Sequence, residues 1–187
     1  VGFSSILDAG VPQLVNEYGW IWLWRDGRPS KLTLNNYNYY LGENATPAQC
    51  VIASYWLQLE TEWLRSERSV GGIFGLLHLT NNYGFTGDWF INDIKDLQPS
   101  PAFRWFKHCF APTAVFIDLT DHRYTKHLPA LKPGSDLVFN LVGVNDLNKD
   151  SSGKVLLKLL DEKGTIISTQ EESIVIEPFG KRLQPCF

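Results

Sequence analysis

The first 110 residues alternate short apolar runs with one long segment of helical spacing. Residues 13–18 form a brief apolar run that ends in polar positions, which predicts a strand. Residues 72–79 are almost continuously apolar, which is typical of a parallel strand buried on both faces. A helical pattern lies between them. The order strand, helix, strand predicts a βαβ unit with a right-handed crossover.

The helix predicted over residues 47–68 has a clear start. Thr46 is a good N-cap, Pro47 suits the first helical position and Gln49 completes a capping box. Apolar positions then recur at helical spacing, which predicts that this face covers a sheet. These positions are Ile52, Tyr55, Trp56, Leu59 and Trp63. A short helix or a turn is predicted within the loop 25–45, at 31–41, and a second helix over 100–109, with Phe103, Phe106 and Phe110 inward.

From Pro112 onward the pattern changes to short alternating runs. Strands are predicted at residues 114–119, 137–144, 154–160 and 173–177, separated by turn-forming sequences. Short strands at regular spacing favour an immunoglobulin-like β-sandwich. Such a sandwich needs about seven strands in ~100 residues, so we expect the domain over 112–187 to be incomplete.

Composition narrows the function classes. The 187 residues carry a net charge of −3 and 20% charged side chains, which gives no electrostatic case for nucleic acid. No apolar run approaches the ~20 residues of a membrane span. The three cysteines have no metal-ligand spacing, so we expect no metal. The chain has no methionine, and we expect it to be a piece of something longer rather than a chain that begins at Val1 after processing.

The most distinctive chemistry lies at residues 15–27. Glu17 ends the first strand between Asn16 and Tyr18, where an acid is costly to bury unless it is paired or used. Tryptophans follow at positions 20, 22 and 24, which predicts an extended segment with all three rings on one side. A carboxylate beside indole faces is what a sugar-cleaving site needs. The alternative is a core strand with a solvent-facing acid and core tryptophans.

The segment 14–20, followed by Leu23, Arg25-Asp26-Gly27 and Pro29, resembles the late-barrel region of glycoside hydrolase family 2. The similarity continues through residues 47–68, 72–79 and the Phe110-Ala111-Pro112 junction. That family contains β-galactosidases, β-glucuronidases and β-mannosidases. In it, a Glu followed by an aromatic residue ends the seventh barrel strand and is the nucleophile. The resemblance implies that Glu17 is the nucleophile of a retaining enzyme acting on terminal β-linked sugars without a cofactor.

This resemblance implies a domain plan of α/β plus β class. Residues 1–111 are the last βαβα part of a (β/α)8 barrel, and residues 112–187 are a partial immunoglobulin-like sandwich. The acid/base residue and the first six strands then lie on a missing segment. Because part of a barrel leaves strand edges unpaired, we expect the remaining chain or chains of the same enzyme as partners. Activity is expected only in the completed enzyme.

Further candidate residues accompany Glu17. Possible substrate contacts are Asn16, Tyr18, Trp20, Trp22, His78, Asn81, Asp88 and Trp89. Tyr18 has two interpretations: it hydrogen-bonds the nucleophile's carboxylate, or it is a buried aromatic residue. His78 either hydrogen-bonds a sugar hydroxyl or is a core histidine. Asp88 and Trp89 either bind substrate or turn the chain. Arg25 and Asp26 are expected to form an ion pair.

Three functions compete at this point. The first is a portion of a family 2 hydrolase, the second a non-catalytic carbohydrate-binding or structural subunit, and the third a processed subunit whose role is assembly. The sequence shows no basic pocket for a uronic acid, which favours a neutral sugar. The sequon Asn44-Ala45-Thr46 indicates a glycoprotein, with Asn44 as the acceptor, in the secretory pathway or outside the cell.

Overall fold

The computed structural model describes residues 10–67, 70–75, 83–118, 132, 134–136 and 138–186. The chain divides into two compact units, Val1–Phe110 and Ala111–Phe187. The first unit mixes helices with a small sheet, and the second is built from strands.

The first unit contains a parallel pair of strands with helices between and after them. In chain order its elements are β1 (Gln13–Tyr18), α1 (Leu34–Leu41), α2 (Pro47–Ala53), α3 (Trp56–Ser66), β2 (Val70–Gly75) and α4 (Pro101–Cys109). β1 pairs with β2 in parallel, as the sequence pattern predicts. The strand predicted over 72–79 is confirmed up to Gly75, and its residues 76–79 lie outside the described residues.

β1 contains a bulge that sets the direction of its last side chains. Val15 pairs with Ile73 and Tyr18 with Gly75, so Asn16 and Glu17 together stand opposite Phe74. Side chains alternate along a regular strand, and two residues three positions apart would face opposite ways. The extra residue lets Val15 and Tyr18 both contact the core, while Asn16 and Glu17 are both exposed.

The segment 47–68 forms two helices rather than the single helix that its pattern predicts. The capping box is confirmed, since Thr46 N donates to Gln49 Oε1 at 2.8 Å and Gln49 N donates to Thr46 Oγ1 at 3.3 Å. The helix then breaks at Ser54 and Tyr55. There Ser54 Oγ donates to the carbonyl of Val51, and backbone bonds of the tighter i to i+3 type replace the regular ladder.

This break changes which face of the second helix is buried. α3 buries Leu57, Thr61 and Leu64. The predicted stripe is therefore wrong in part, because Ile52 is 69% exposed and Tyr55 is 39% exposed. A regular helix would keep one phase from residue 47 to 68, and the two tight turns at 54–55 rotate the second half about its axis.

The helices cover one face of the β1–β2 pair. Phe106 of α4 packs against Gly75 of β2 and stacks on Trp89, with ring centroids 5.7 Å apart. Arg65 of α3 donates a hydrogen bond to the carbonyl of Cys109, which joins α3 to the end of α4. Phe110 is 38% exposed, so its predicted inward position is wrong. α4 ends at Cys109, and Phe110 lies beyond its last turn.

The opposite face of the β1–β2 pair is open in the described part of the chain. Leu14 is 65% exposed and Phe74 is 59% exposed. Both side chains lie beside the Cα of Gly72, so they form one apolar surface. Parallel sheets are normally covered on both faces, and this pair is covered on one. The described residues do not close the sheet into a barrel, and the predicted barrel remains a prediction.

The second unit is antiparallel. Its strands are β3 (Thr113–Asp118), β4 (Phe139–Asn145), β5 (Ser151–Leu160), β6 (Ile166–Ile176) and β7 (Lys181–Cys186). β3, β4 and β7 form one sheet in that order, and β5 and β6 form a hairpin. Four of the five strands match predicted segments, although β6 is longer than predicted. β7 has no counterpart in the prediction.

The contact between Gly19 and α3 yields a test of how the end of β1 is held. Gly19 has φ +83°, and a Cβ atom there would lie 2.5 Å from Leu57 Cδ1. We expect Gly19→Ala to lower the free energy of unfolding by about 2–4 kcal/mol, from backbone strain and overpacking. Urea unfolding of Gly19→Ala, Leu57→Ala and the double variant measures the coupling. Because Leu57→Ala removes the clashing methyl, the double variant should cost about 1 kcal/mol or more less than the sum. Simple additivity would contradict this packing.

Candidate functional site

The carboxyl end of β1 presents an acid and an indole ring to solvent. Glu17 is exposed on the bulge, and Trp20, three residues further on, is 43% exposed. Trp20 packs on the buried Trp22, with ring centroids 5.6 Å apart and an angle of 40° between the rings. The exposed ring of Trp20 is therefore supported by the buried ring of Trp22. In a βαβ unit the carboxyl ends of strands are where sites are commonly built.

The three tryptophans do not share one environment. Residues 19–22 do not continue the strand, which ends at Tyr18. Trp22 is 4% exposed and belongs to the core, as the alternative interpretation allowed. The Trp24 ring meets Tyr83 edge-on at 5.1 Å, and its Nε1 donates to the carbonyl of Gly84 at 2.8 Å. Of the four aromatic residues predicted to contact substrate, Tyr18, Trp20, Trp22 and Trp89, Trp20 alone is exposed.

Tyr18 serves the core rather than Glu17. Its hydroxyl lies 2.9 Å from Thr61 Oγ1, which itself donates to the carbonyl of Leu57 at 2.7 Å. Tyr18 is therefore the donor in its bond to Thr61. Burial raises the pKa of the Tyr18 hydroxyl, so it remains a neutral donor. This contact favours the buried-aromatic role for Tyr18.

Glu60 of α3 is a residue that the sequence pattern did not single out. The backbone N–H of Gly19, two residues after Glu17 in the sequence, donates to the Glu60 carboxylate. Burial raises the pKa of Glu60 to about 7, although the bond from Gly19 opposes this. The available signal was helical phase, since Glu60 lies between Leu57 and Leu64 at positions i+3 and i−4.

Asp88 is occupied by an internal ion pair. Arg25 donates to Asp88 Oδ2 from Nη2 at 2.8 Å and from Nε at 2.9 Å, and the Asp88 side chain is fully buried. Asp88 Oδ1 also accepts the N–H of Phe90. The predicted pairing of Arg25 with Asp26 is wrong, because Asp26 pairs with Arg28 at 2.7 Å. The Arg25–Asp88 pair fixes the segment after β1 against residues 83–90.

The remaining candidate residues are buried, exposed or outside the described part of the chain. Trp89 is 6% exposed and stacks in the core on Phe106. Asn16 is exposed beside Glu17, and Asn44 is exposed in the turn between α1 and α2. His78 and Asn81 lie outside the described residues. The structure thus leaves Asn16 and Glu17 exposed in β1 and Trp20 exposed just after it, and it places Tyr18, Trp22, Asp88 and Trp89 in the interior.

The three cysteines all lie in the interior of the described part of the chain. Cys50, Cys109 and Cys186 are buried free thiols, and burial raises the pKa of Cys109 to about 11. No group of three metal-ligating side chains is found in this part of the chain. The described helices are also too short and too polar to cross a bilayer.

Comparison with known proteins finds no family model, curated protein or solved structure that matches this chain. The chemistry of the site is therefore argued from its own residues. An exposed carboxylate such as Glu17 can act as a nucleophile or accept hydrogen bonds from hydroxyl groups. The face of Trp20 offers an apolar platform for the C–H face of a sugar ring.

The Glu60 carboxyl gives the first unit a pH-dependent stability. Its pKa in the folded protein is about 7 against an ordinary value of 4.5, so the folded state binds more protons between these values. The free energy of unfolding should therefore fall, by about 1–3 kcal/mol, as pH rises from 5 to 8. Urea unfolding across this range should show a flatter profile for Glu60→Gln, which keeps an acceptor for Gly19. Glu60→Ala should be equally flat but less stable throughout. A slope that persists in both variants would exclude Glu60 as its source.

The ion pairs Arg25–Asp88 and Asp26–Arg28 differ in burial, so they should contribute differently to the free energy of unfolding. Asp88→Asn places the partly buried Arg25 beside a neutral group, and we expect it to lower the free energy of unfolding by about 2–4 kcal/mol. Asp26→Asn disrupts the exposed pair and should cost less than about 1 kcal/mol. Chemical denaturation of both variants makes the comparison. Equal costs would show that burial of Asp88 does not matter to the fold.

Proposed function

We propose that this chain is the carboxy-terminal portion of a retaining β-glycosidase resembling glycoside hydrolase family 2, with Glu17 as its nucleophile. The observation that carries the proposal is the bulge in β1, which turns Glu17 to solvent three residues before Trp20, whose exposed ring packs on Trp22. The order of β1, helices, β2, α4 and then a β-rich unit is the order expected at the end of such a barrel. The substrate is a terminal β-linked sugar.

Glu17 would act by attack on the anomeric carbon. The carboxylate displaces the leaving group and forms a covalent glycosyl–enzyme, which water then hydrolyses. A second carboxyl, about 5–5.5 Å away in retaining enzymes, protonates the leaving oxygen and later activates the water. We assign that acid/base to a part of the enzyme beyond this sequence. Trp20 would support the sugar through its exposed face, and Asn16 would donate to a hydroxyl.

The open face of the β1–β2 pair supports a completed barrel. Leu14 and Phe74 expose apolar surface that a parallel sheet normally buries. Remaining strands of the same enzyme would cover this surface and pair with the strand edges that the described residues leave unpaired. We therefore propose the rest of the barrel as the partner, and activity only in the completed enzyme. The exposed position of Asn44 supports its proposed glycosylation on a secretory or extracellular route.

A non-catalytic carbohydrate-binding or structural subunit is the second candidate. The supported ring of Trp20 favours it, because an aromatic platform binds a sugar without any acid chemistry. Binding of a glycan without turnover by the complete assembly would select this candidate over the first.

The test begins with the native assembly and then changes Glu17. Native mass spectrometry should show this 21.3 kDa chain together with the rest of the enzyme. In that assembly Glu17→Ala should lower the rate on an aryl β-glycoside by about 10⁴-fold or more, because the nucleophile is gone. Azide should restore turnover and yield a glycosyl azide of inverted configuration, since a small anion replaces the carboxylate.

The control is Glu162→Gln, which changes an exposed carboxyl in the β5–β6 turn and should retain wild-type rates. A folded chain that occurs alone and binds no other part of the enzyme would contradict the barrel proposal. Full activity in Glu17→Ala would contradict the nucleophile assignment.

A further inference from the structure

Four side chains from two separate segments form one cluster, which we call the rim cluster: Trp24, Asp26, Arg28 and Tyr83. Arg28 places its guanidinium carbon 5.4 Å from the Trp24 ring centroid and 5.6 Å from that of Tyr83. Asp26 Oδ2 accepts from Arg28 Nε at 2.8 Å and from Nη2 at 2.7 Å. The Tyr83 hydroxyl also donates to Asp26.

The backbone around the rim cluster is firmly connected. Trp24 Nε1 donates to the carbonyl of Gly84 at 2.8 Å, and Leu32 N donates to that of Phe85 at 3.2 Å. Asp88 N donates to the carbonyl of Leu23 at 2.8 Å. These bonds hold residues 83–88 against residues 23–32. The cluster is therefore formed in advance, which lowers the entropic cost of binding a ligand.

The cluster leaves aromatic surface exposed that the fold does not bury. Tyr83 is 53% exposed, and Phe85, two residues later, is 61% exposed. Tyr83 also has φ +62°, a left-handed conformation that is unfavourable for a bulky side chain. Its contacts with Arg28, Asp26 and Trp24 maintain this conformation, and strain held in this way is common at ligand sites.

The charges of the cluster select the ligand class. Partial burial acts to raise the pKa of Asp26, but the hydrogen bonds from Arg28 outweigh it and hold that pKa below its ordinary value. Asp26 and Arg28 are therefore both ionised at neutral pH and cancel each other. A phosphate or carboxylate ligand would need an uncompensated cation. A neutral sugar instead offers C–H faces to the rings and hydroxyls to the fixed charged donors and acceptors.

We propose that the rim cluster and Phe85 together bind one pyranose unit of a neutral β-linked glycan, at a surface separate from Glu17. The sugar class rests on the proposed function, whereas the existence of a binding surface rests on the geometry of the cluster. The substrate of the proposed enzyme would then be an oligosaccharide or polysaccharide rather than a small glycoside.

The experiment uses the full chain labelled with ¹⁵N and three probes, the β-1,4-linked tetrasaccharides of glucose, mannose and galactose. The indole N–H of Trp24 reports on the cluster, and Trp24→Phe assigns its signal. At least one tetrasaccharide should shift this signal, with a dissociation constant in the range up to about 10 mM. Tyr83→Asn removes the ring but suits the left-handed backbone, and it should weaken binding at least about tenfold.

A matched control is available in the second unit. Phe179 is also an exposed aromatic residue with positive φ, +51°, so Phe179→Asn makes the same change elsewhere and should bind like the wild type. Phe85→Ala should also weaken binding, and Tyr83→Phe should retain most of it. Thermal unfolding of every variant separates loss of binding from loss of fold.

The outcomes distinguish this surface from the site at Glu17. Binding that survives in Trp20→Ala, which removes the exposed ring after β1, supports the separate surface, even if the completed assembly proves inactive and the proposed hydrolase fails. The proposal is overturned if no tetrasaccharide shifts the Trp24 signal, or if Tyr83→Asn and Phe85→Ala bind like the wild type. A shift caused by adenosine monophosphate but by none of the glycans would also overturn it and would indicate a nucleotide surface.

Discussion

The end of β1 is held against α3 by a set of contacts that depend on one another. Gly19 brings the backbone within van der Waals reach of Leu57, and this approach lets its N–H reach Glu60. The same approach lets the Tyr18 hydroxyl reach Thr61. A side chain at position 19 would separate strand and helix and weaken the polar contacts together. These contacts also fix the position of Glu17, because they hold the residues directly after it, Tyr18 and Gly19, against α3.

The bulge and the contacts with α3 require neighbouring residues of β1 to face in opposite directions. Val15 and Tyr18 must both face the helices, which is possible only with an extra residue between them. That residue leaves Asn16 and Glu17 side by side in solvent. The exposed acid is thus a consequence of burying Tyr18 rather than a feature that Glu17 establishes itself. A carboxylate in this position costs the fold little, which leaves it available for chemistry.

The sequence predicts much of the local structure and less of the packing. The capping box at Thr46, the parallel pairing of β1 with β2 and most strands of the second unit follow from short-range patterns. The break at Ser54 does not, because it depends on a side-chain bond to the carbonyl of Val51 that competes with the helix ladder. α3 buries Leu57, Thr61 and Leu64, and Glu60 on the same helix accepts the N–H of Gly19.

The partners of charged residues were the least predictable feature. Arg25 and Asp26 are adjacent in sequence, yet each pairs with a different residue. Adjacent side chains in an irregular segment diverge, so the nearest charge in sequence is often out of reach. Arg25 reaches the buried Asp88, and Asp26 reaches Arg28 under the rings of Trp24 and Tyr83. The Arg25–Asp88 pair therefore stabilises the fold, whereas the Asp26–Arg28 pair lies at the surface, where a ligand can contact it.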